Sequence, residues 1–208
     1  MPGEARPLGG LLIGGASRRL GQPKQLVTHG GSTLAERAHR ALAPWVDEVV
    51  LLGAGEVAGA LADLPRWPDR TVAGDQAPRG PLAGMLTAFG KRPEGCWIFV
   101  PCDLPHIQPP AVEWLISERR PERWAIFPGL PGENDAHPQP LLALYEPPAR
   151  RLLETLLAAG HHGPSRLASR REVAVVPVPE ELIPCWRDID TREDLAALSG
   201  SHPGIDPA

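Results

Sequence analysis

Short, unbroken apolar runs recur along the chain, and each is released into glycine, proline or acidic residues before a helical pattern begins. Leu8 to Ile13, Glu48 to Gly53, Trp97 to Val100, Trp124 to Phe127, Pro140 to Tyr145 and Val173 to Val176 are such runs. They are too short and too continuous for amphipathic helices and read as strands buried on both faces. Arg70 to Asp75 reads as a further short strand ending on an acid. Helical spacing fills the intervals. Ser32 caps a helix through Leu34, Ala38, Ala41 and Leu42 that Pro44 ends, and a weak helix follows around Val57 to Leu64. Pro81 opens a third through Phe89, where its missing N–H costs nothing. Pro110 to Glu118, Ala149 to Ala159 closed by Gly160, and Thr191 to Leu198 complete the series. Strand and helix alternate, so the fold class is α/β: a single three-layer α/β/α domain over residues 1–198 with a mostly parallel sheet, then a loose tail over 199–208. A chain of 208 residues is long enough to bury the core such a domain needs.

In open α/β sheets ligands sit beyond the carboxyl ends of the strands. The most informative loop leaves the first strand there: Leu12-Ile13-Gly14-Gly15-Ala16-Ser17-Arg18-Arg19-Leu20-Gly21-Gln22-Pro23-Lys24. Paired glycines let the backbone turn sharply and approach a ligand closely. Successive N–H groups in such a turn make an anion-binding concavity. Arg18, Arg19 and Lys24 add full positive charge, which suits a triphosphate. The chain has two lysines, Lys24 and Lys91, and uses arginine for its other basic side chains, so a lysine in this loop is conspicuous. It is not a P-loop, because Gly21 is followed by Gln22-Pro23-Lys24 rather than Lys-Ser/Thr, and it lacks the third glycine and spaced acid of the dinucleotide fingerprint.

Asp103 follows the most apolar strand and is bounded by Pro105. A carboxylate at that point beside a triphosphate loop is a natural Mg²⁺ ligand, since Mg²⁺ takes few carboxylates together with phosphate oxygens. Trp186-Arg187-Asp188-Ile189-Asp190-Thr191 offers partners, because alternation in an extended segment puts Asp188 and Asp190 on one face. One of the two could instead cap the last helix, so which faces the metal is open. A Cys-Asp-Leu-Pro turn in which Asp103 bonds its own backbone is the plain alternative.

Other patterns carry less. His161-His162 has no third metal ligand in reach of its spacing, and no serine sits in a glycine elbow. The six tryptophans fall at strand or helix edges, as core rather than as a stacking platform for bases. A net charge of −4 and a pI near 6.0 argue against nucleic acid or an anionic membrane as partner. No apolar stretch approaches the length of a membrane span, and the first residues lack a secretion signal. Cys96, Cys102 and Cys185 are odd in number and lack metal-ligand spacing, so they read as reduced thiols in the cytoplasm.

These motifs together resemble the nucleotidyltransferases related to molybdenum cofactor guanylyltransferase. The loop from Leu12 to Gly21 with Lys24 resembles the opening signature, and Gly80-Pro81-Leu82-Ala83-Gly84-Met85 the guanine-side segment. Cys102-Asp103-Leu104-Pro105 resembles the metal-binding motif, His137-Pro138-Gln139-Pro140-Leu141-Leu142-Ala143-Leu144-Tyr145 the pterin-side strand, and Asp188 to Leu195 the closing motif. The resemblance implies a Rossmann-like nucleotidyltransferase fold and transfer of GMP from GTP to the molybdopterin-bound molybdenum cofactor, with release of pyrophosphate. By position it implies nucleotide contacts at Leu12, Ile13, Gly14, Gly15 and Lys24, and at Asp75, Gly80, Pro81, Leu82 and Gly84 on the guanosine side. Arg18, Arg19 and Lys24 would neutralise charge in the transfer together with Mg²⁺, and Asp103 would complete the catalytic set as a ligand of that ion; Asp103, Asp188 and Asp190 would hold Mg²⁺, and His137 and Gln139 would meet the acceptor. The implied partners extend to molybdoenzymes or their chaperones.

Two departures bear on the base. The family position after the second strand usually carries asparagine, and here reads Leu51-Leu52-Gly53. Asp188-Ile189-Asp190-Thr191-Arg192 stands where guanylyltransferases usually have Asn-x-Asn-Thr-Pro, and resembles the sister cytidylyltransferases that make the cytosine dinucleotide. Guanine and cytosine therefore both stay open, as does transfer to another phosphorylated small molecule. A nucleotide-binding regulator without turnover is the non-enzyme alternative; it would be expected to have lost Lys24 or Asp103, and both are present.

Overall fold

The computed structural model describes residues 6–14, 20–69, 77–132 and 136–200. Gly15, Arg18, Arg19, Asp75 and the strand expected over Arg70 to Asp75 lie outside the described residues. The chain begins with β1 (Leu8–Leu12), then a short hairpin of β2 (Thr28–His29) and β3 (Ser32–Thr33), then α1 (Leu34–Leu42) and β4 (Val49–Leu52). Next come β5 (Arg66–Trp67), α2 (Pro81–Lys91), β6 (Trp97–Pro101) and α3 (Pro109–Ser117). The last part holds β7 (Ala125–Leu130), β8 (His137–Pro138), β9 (Ala143–Tyr145), α4 (Ala149–Ala158), β10 (Val173–Pro177) and α5 (Arg192–Gly200).

The main sheet runs in the order β10-β7-β9-β6-β1-β4-β5, with β8 on β7. β9 is antiparallel to both β6 and β7, β8 is antiparallel to β7, and every other pairing is parallel. The strands are apolar on both sides because both sides are covered. One face packs Leu11, Leu51, Ile98, Val100 and Leu144 against Ala38 and Leu42 of α1 and Val112 and Leu115 of α3. The other packs Leu12, Leu52, Phe99 and Phe127 against Leu82, Met85 and Phe89 of α2 and Leu152, Leu153 and Leu156 of α4. On that second face Trp97 stacks on Phe99, and Tyr145 meets both Phe99 and Phe127 at 5.4 Å between ring centroids. The Tyr145 hydroxyl donates to the Pro140 carbonyl at 2.6 Å, whereas the buried Trp97 indole N–H has no hydrogen-bond partner among the described residues. The result is the three-layer α/β/α domain with a mostly parallel sheet that the alternation implied.

Four local expectations change. Thr33, not Ser32, caps α1: its hydroxyl accepts from the Glu36 N–H while the Glu36 carboxylate accepts from the Thr33 N–H. The reciprocal box needs the glutamate three positions after the cap, a spacing that Thr33 has and Ser32 lacks; Ser32 instead accepts from Arg40. The weak helix near Val57 to Leu64 is a 3-10 turn over Gly59–Asp63, a length and geometry suited to a segment with a single buried anchor, Leu61. The strand expected from Pro140 begins only at Ala143, because Pro140 has no N–H for a ladder. Finally, α5 runs to Gly200, two residues into the expected tail. Among the described residues no helix is long and apolar enough to cross a membrane.

Candidate active site

The site grows from the register of the two central strands. Leu12 pairs with Leu52 of β4 on one side and with Pro101 of β6 on the other, so Gly14, Gly53 and Asp103 emerge side by side at the carboxyl edge. Ile13 is fully buried and donates its N–H to the Leu52 carbonyl, and Leu12 is nearly so; whatever these two offer a ligand is backbone. Gly53 has φ +112°, and a Cβ there would stand 3.1 Å from the Gly14 nitrogen. The position where the family usually has asparagine is thus held to glycine by the close crossing of two loops.

Asp103 sits in the turn that leaves β6. Its backbone carbonyl accepts the Ile189 N–H at 3.1 Å, which lays the segment before α5 alongside it. Ile189 is buried with Leu20, Val27 and Leu34 in a small core of its own. Because side chains alternate along an extended segment, burying Ile189 turns Asp188 and Asp190 out together. Carboxylate oxygens of Asp103, Asp188 and Asp190 accordingly lie within 4.8 Å of one another. Both flanking aspartates join the cluster, and the cap of α5 comes from Thr191, whose hydroxyl accepts from the Asp194 N–H. The Asp194 carboxylate accepts from the N–H groups of Asp190 and Thr191 and so steadies the same turn.

Lys24 reaches this cluster from a 3-10 turn over Lys24–Leu26. Its Nζ donates to Asp103 Oδ2 at 2.8 Å and to Asp190 Oδ1 at 2.5 Å. Burial works against the charged ammonium, but the two hydrogen bonds and the two carboxylate charges outweigh it, and the Lys24 pKa is raised. The Asp188 carboxyl is pushed up, first by desolvation and then by the charges of Asp103 and Asp190. Burial, with the Asp103 charge beside it, lifts the Cys102 thiol to about 12, so Cys102 stays protonated and is packing rather than nucleophile. Three clustered carboxylates form a hard-oxygen donor set that fits a divalent cation such as Mg²⁺.

The remaining expected residues divide by burial. Gly80 (φ +59°) and Pro81 form the entry to α2 and are accessible, whereas Leu82 is fully buried. Gly84 is an inward-facing contact: a Cβ there would lie 3.0 Å from Leu12 Cδ2 and 3.2 Å from Leu52 Cβ. Leu82 and Gly84 therefore shape the site by seating α2 on the sheet. His137 and Gln139 stand at the carboxyl edge of β7, with Leu130 opposite His137 and the Gln139 N–H donating to the Pro128 carbonyl at 2.7 Å. They lie beyond β9 along β7, on the β8 segment that pairs with the carboxyl end of that strand.

Sequence reading missed Arg37. Its Nε donates to the Pro105 carbonyl at 2.8 Å and so clamps the loop that carries Asp103. Next to it the His29 and His106 rings meet edge to face at 5.8 Å. Burial, then the charges of Arg37 and Arg187, lower the His106 pKa. Nothing local in the sequence joins residues from a hairpin, a helix face and a loop after β6.

Comparison with known proteins agrees with this geometry. A family model described as a MobA-like NTP transferase domain matches residues 9–177. A molybdenum cofactor guanylyltransferase of Shewanella amazonensis is 30% identical over 192 residues, covering 91% of this chain and 93% of that one. A molybdenum cofactor biosynthesis bifunctional protein of Synechocystis sp. is 29% identical over 196 residues; it covers 93% of this chain, which spans 54% of its length. Molybdopterin-guanine dinucleotide biosynthesis protein A of Archaeoglobus fulgidus shares the fold with a TM-score of 0.71 at 24% identity, over 93% of this chain and 97% of that one. A match of this extent makes the chain a nucleotidyltransferase of the MobA-like NTP transferase family.

Proposed function

We propose that this protein transfers GMP from GTP to the molybdenum cofactor, forming the guanine dinucleotide and releasing pyrophosphate, with Mg²⁺ as its metal. The observation that supports this most is the meeting of Lys24 with Asp103, Asp188 and Asp190 at the carboxyl edge of β1 and β6, where the glycine loop begins. In the reaction a phosphate oxygen of the acceptor attacks the α-phosphorus of GTP, and the bond from that phosphorus to the β-phosphate bridging oxygen breaks. The electron pair leaves with pyrophosphate. Such transfer asks for positioning and neutralisation of charge more than for a covalent nucleophile.

Asp103, Asp188 and Asp190 would hold the Mg²⁺, which would supply Lewis acidity toward the phosphates. Gly14 and Gly15 offer backbone N–H groups to the phosphates, and Arg18, Arg19 and Lys24 offset the charge that builds on the leaving group. The entry to α2, with Gly80 and Pro81, together with Asp75 would serve the guanosine side, and His137 of β8 with Gln139 just after it would serve the acceptor. The exposed and half-buried placement of those two leaves their side chains available for that contact. The three buried free cysteines fit a reducing cytoplasm, with molybdoenzymes or their chaperones as takers of the product.

A cytidylyl transfer is the second reading, favoured by one feature: both acids of the Asp188-Ile189-Asp190 motif enter the cluster. The test is pyrophosphate release from GTP and from CTP in the presence of molybdenum cofactor and Mg²⁺, with Asp103→Ala alongside. Release from GTP that is lost in the variant supports guanylyl transfer; release from CTP alone overturns it in favour of the second reading.

A further inference from the structure

Among the described residues the cluster brings three carboxylates together, and it already contains a cation. Lys24 Nζ is shared between Asp103 and Asp190 at hydrogen-bond distance. Those are two of the three residues whose oxygens lie close enough to hold a metal ion. A Mg²⁺ ion coordinates carboxylate oxygen at about 2.0–2.1 Å in near-octahedral geometry. An ammonium on the same oxygens blocks ligand directions and repels the dication. The two cations compete for one place.

We propose that the Lys24 ammonium is the resident counter-ion of this cluster, and that the divalent cation gains its place as Lys24 is drawn away to the polyphosphate of the bound nucleotide. Metal admission is thereby made conditional on substrate. Lysine suits the task where arginine would not: its charge is compact and sits on a flexible four-carbon stem with rotatable donors. The Lys24 side chain is 18% exposed, so it is held without being locked into the core. The backbone that bears it follows Pro23 in a short 3-10 turn over Lys24–Leu26, shortly after Gly21 in the sequence. This inference rests on the reading of the glycine loop as a phosphate site.

The test is Mn²⁺ binding to the full chain without nucleotide, followed by the paramagnetic resonance of free Mn²⁺ and by the melting temperature. Lys24→Met and Lys24→Gln should each bind Mn²⁺ at least tenfold more tightly than the unmodified protein, equivalent to about 1.4 kcal/mol. Both should melt lower than the unmodified protein in EDTA, because their carboxylates are uncompensated, and recover on adding Mn²⁺. Adding Asp103→Asn to Lys24→Met should remove the gain, which locates the ion. Lys91→Met, the loss of the other lysine at the far end of α2, should leave Mn²⁺ affinity unchanged and controls for net charge. Equal Mn²⁺ affinity in the unmodified and Lys24 variants overturns the proposal, as does a gain that survives Asp103→Asn. Failure of the guanylyltransferase reading would show instead as absent GTP binding, with the Mn²⁺ result untouched.

Discussion

Two ion pairs in this molecule look alike and do different things. Arg119 and Glu146 close on each other with side chains 18% and 15% exposed, through Nε to Oε1 at 2.5 Å and a second bond at 3.0 Å. Lys24 and Asp103 are similarly half-sheltered, at 18% and 20%. The Arg119 pair joins the segment after α3 to the segment after β9 through two hydrogen bonds to one carboxylate. The Lys24 pair joins a loop after β1 to one after β6, and its ammonium is shared with a second carboxylate, Asp190, while a third, Asp188, lies close by. A bidentate pair is a fastener. A carboxylate cluster is a site that can take more positive charge.

That contrast can be broken by mutation. The largest expected effect is on chemistry: Asp103→Ala should lower pyrophosphate release by about a thousandfold or more while the protein still unfolds as a single cooperative unit, since a charge-stabilising group is lost and no core contact is. Full activity in that variant would remove Asp103 from the site. Arg119→Met should do the reverse. It strands Glu146 partly buried and should cost about 1–3 kcal/mol in urea unfolding, with Mn²⁺ affinity unchanged; a loss of metal binding would show the two pairs to be coupled.

Gly53→Ala sharpens the comparison from the backbone side. The added methyl must adopt φ +112° and press on Gly14, so a loss of about 1–2 kcal/mol is expected with weaker nucleotide binding. A variant of unchanged stability would mean that the two loops are not packed as described. The smallest effect is in pH. The Lys24 pKa is raised above its ordinary 10.5, so its stabilising contribution is fully present below that value and fades as pH rises through the folded value. Melting curves of the unmodified protein and Lys24→Met should converge on the alkaline side, by less than about 1 kcal/mol because the group is partly exposed. A gap that widened with pH would contradict the sign.

Much of the fold was legible because it rests on local pattern. Continuous apolar runs such as Trp97 to Val100 can be buried on both faces only in a covered sheet, and Pro81 marks a helix start wherever it falls. The antiparallel insertion of β9 was not legible, since strand direction depends on which neighbours are free rather than on the residues of Ala143–Tyr145. At the site, Lys24, Asp103, Asp188 and Asp190 stood out by type and position. Their mutual contact did not, because it depends on the backbone bond from Ile189 to Asp103 and on the burial of Ile189 with Leu20, Val27 and Leu34, all far apart in sequence. Leu82 and Gly84 belong to a nucleotide segment by motif yet face inward, since motif spacing carries no information about which side of a helix meets the sheet. Arg37 escaped notice for the same reason.

The most direct measurement is thermal stabilisation by GTP, CTP, ATP and UTP, each with Mg²⁺ and each with EDTA. A ligand at about a hundred times its dissociation constant adds about 2.7 kcal/mol of apparent stability, ample for a melting shift. The account predicts a Mg²⁺-dependent shift with GTP that disappears in Asp103→Ala. A shift with CTP and none with GTP would contradict the guanylyl assignment, and a GTP shift that survives both EDTA and Asp103→Ala would contradict the carboxylate cluster as the metal's place.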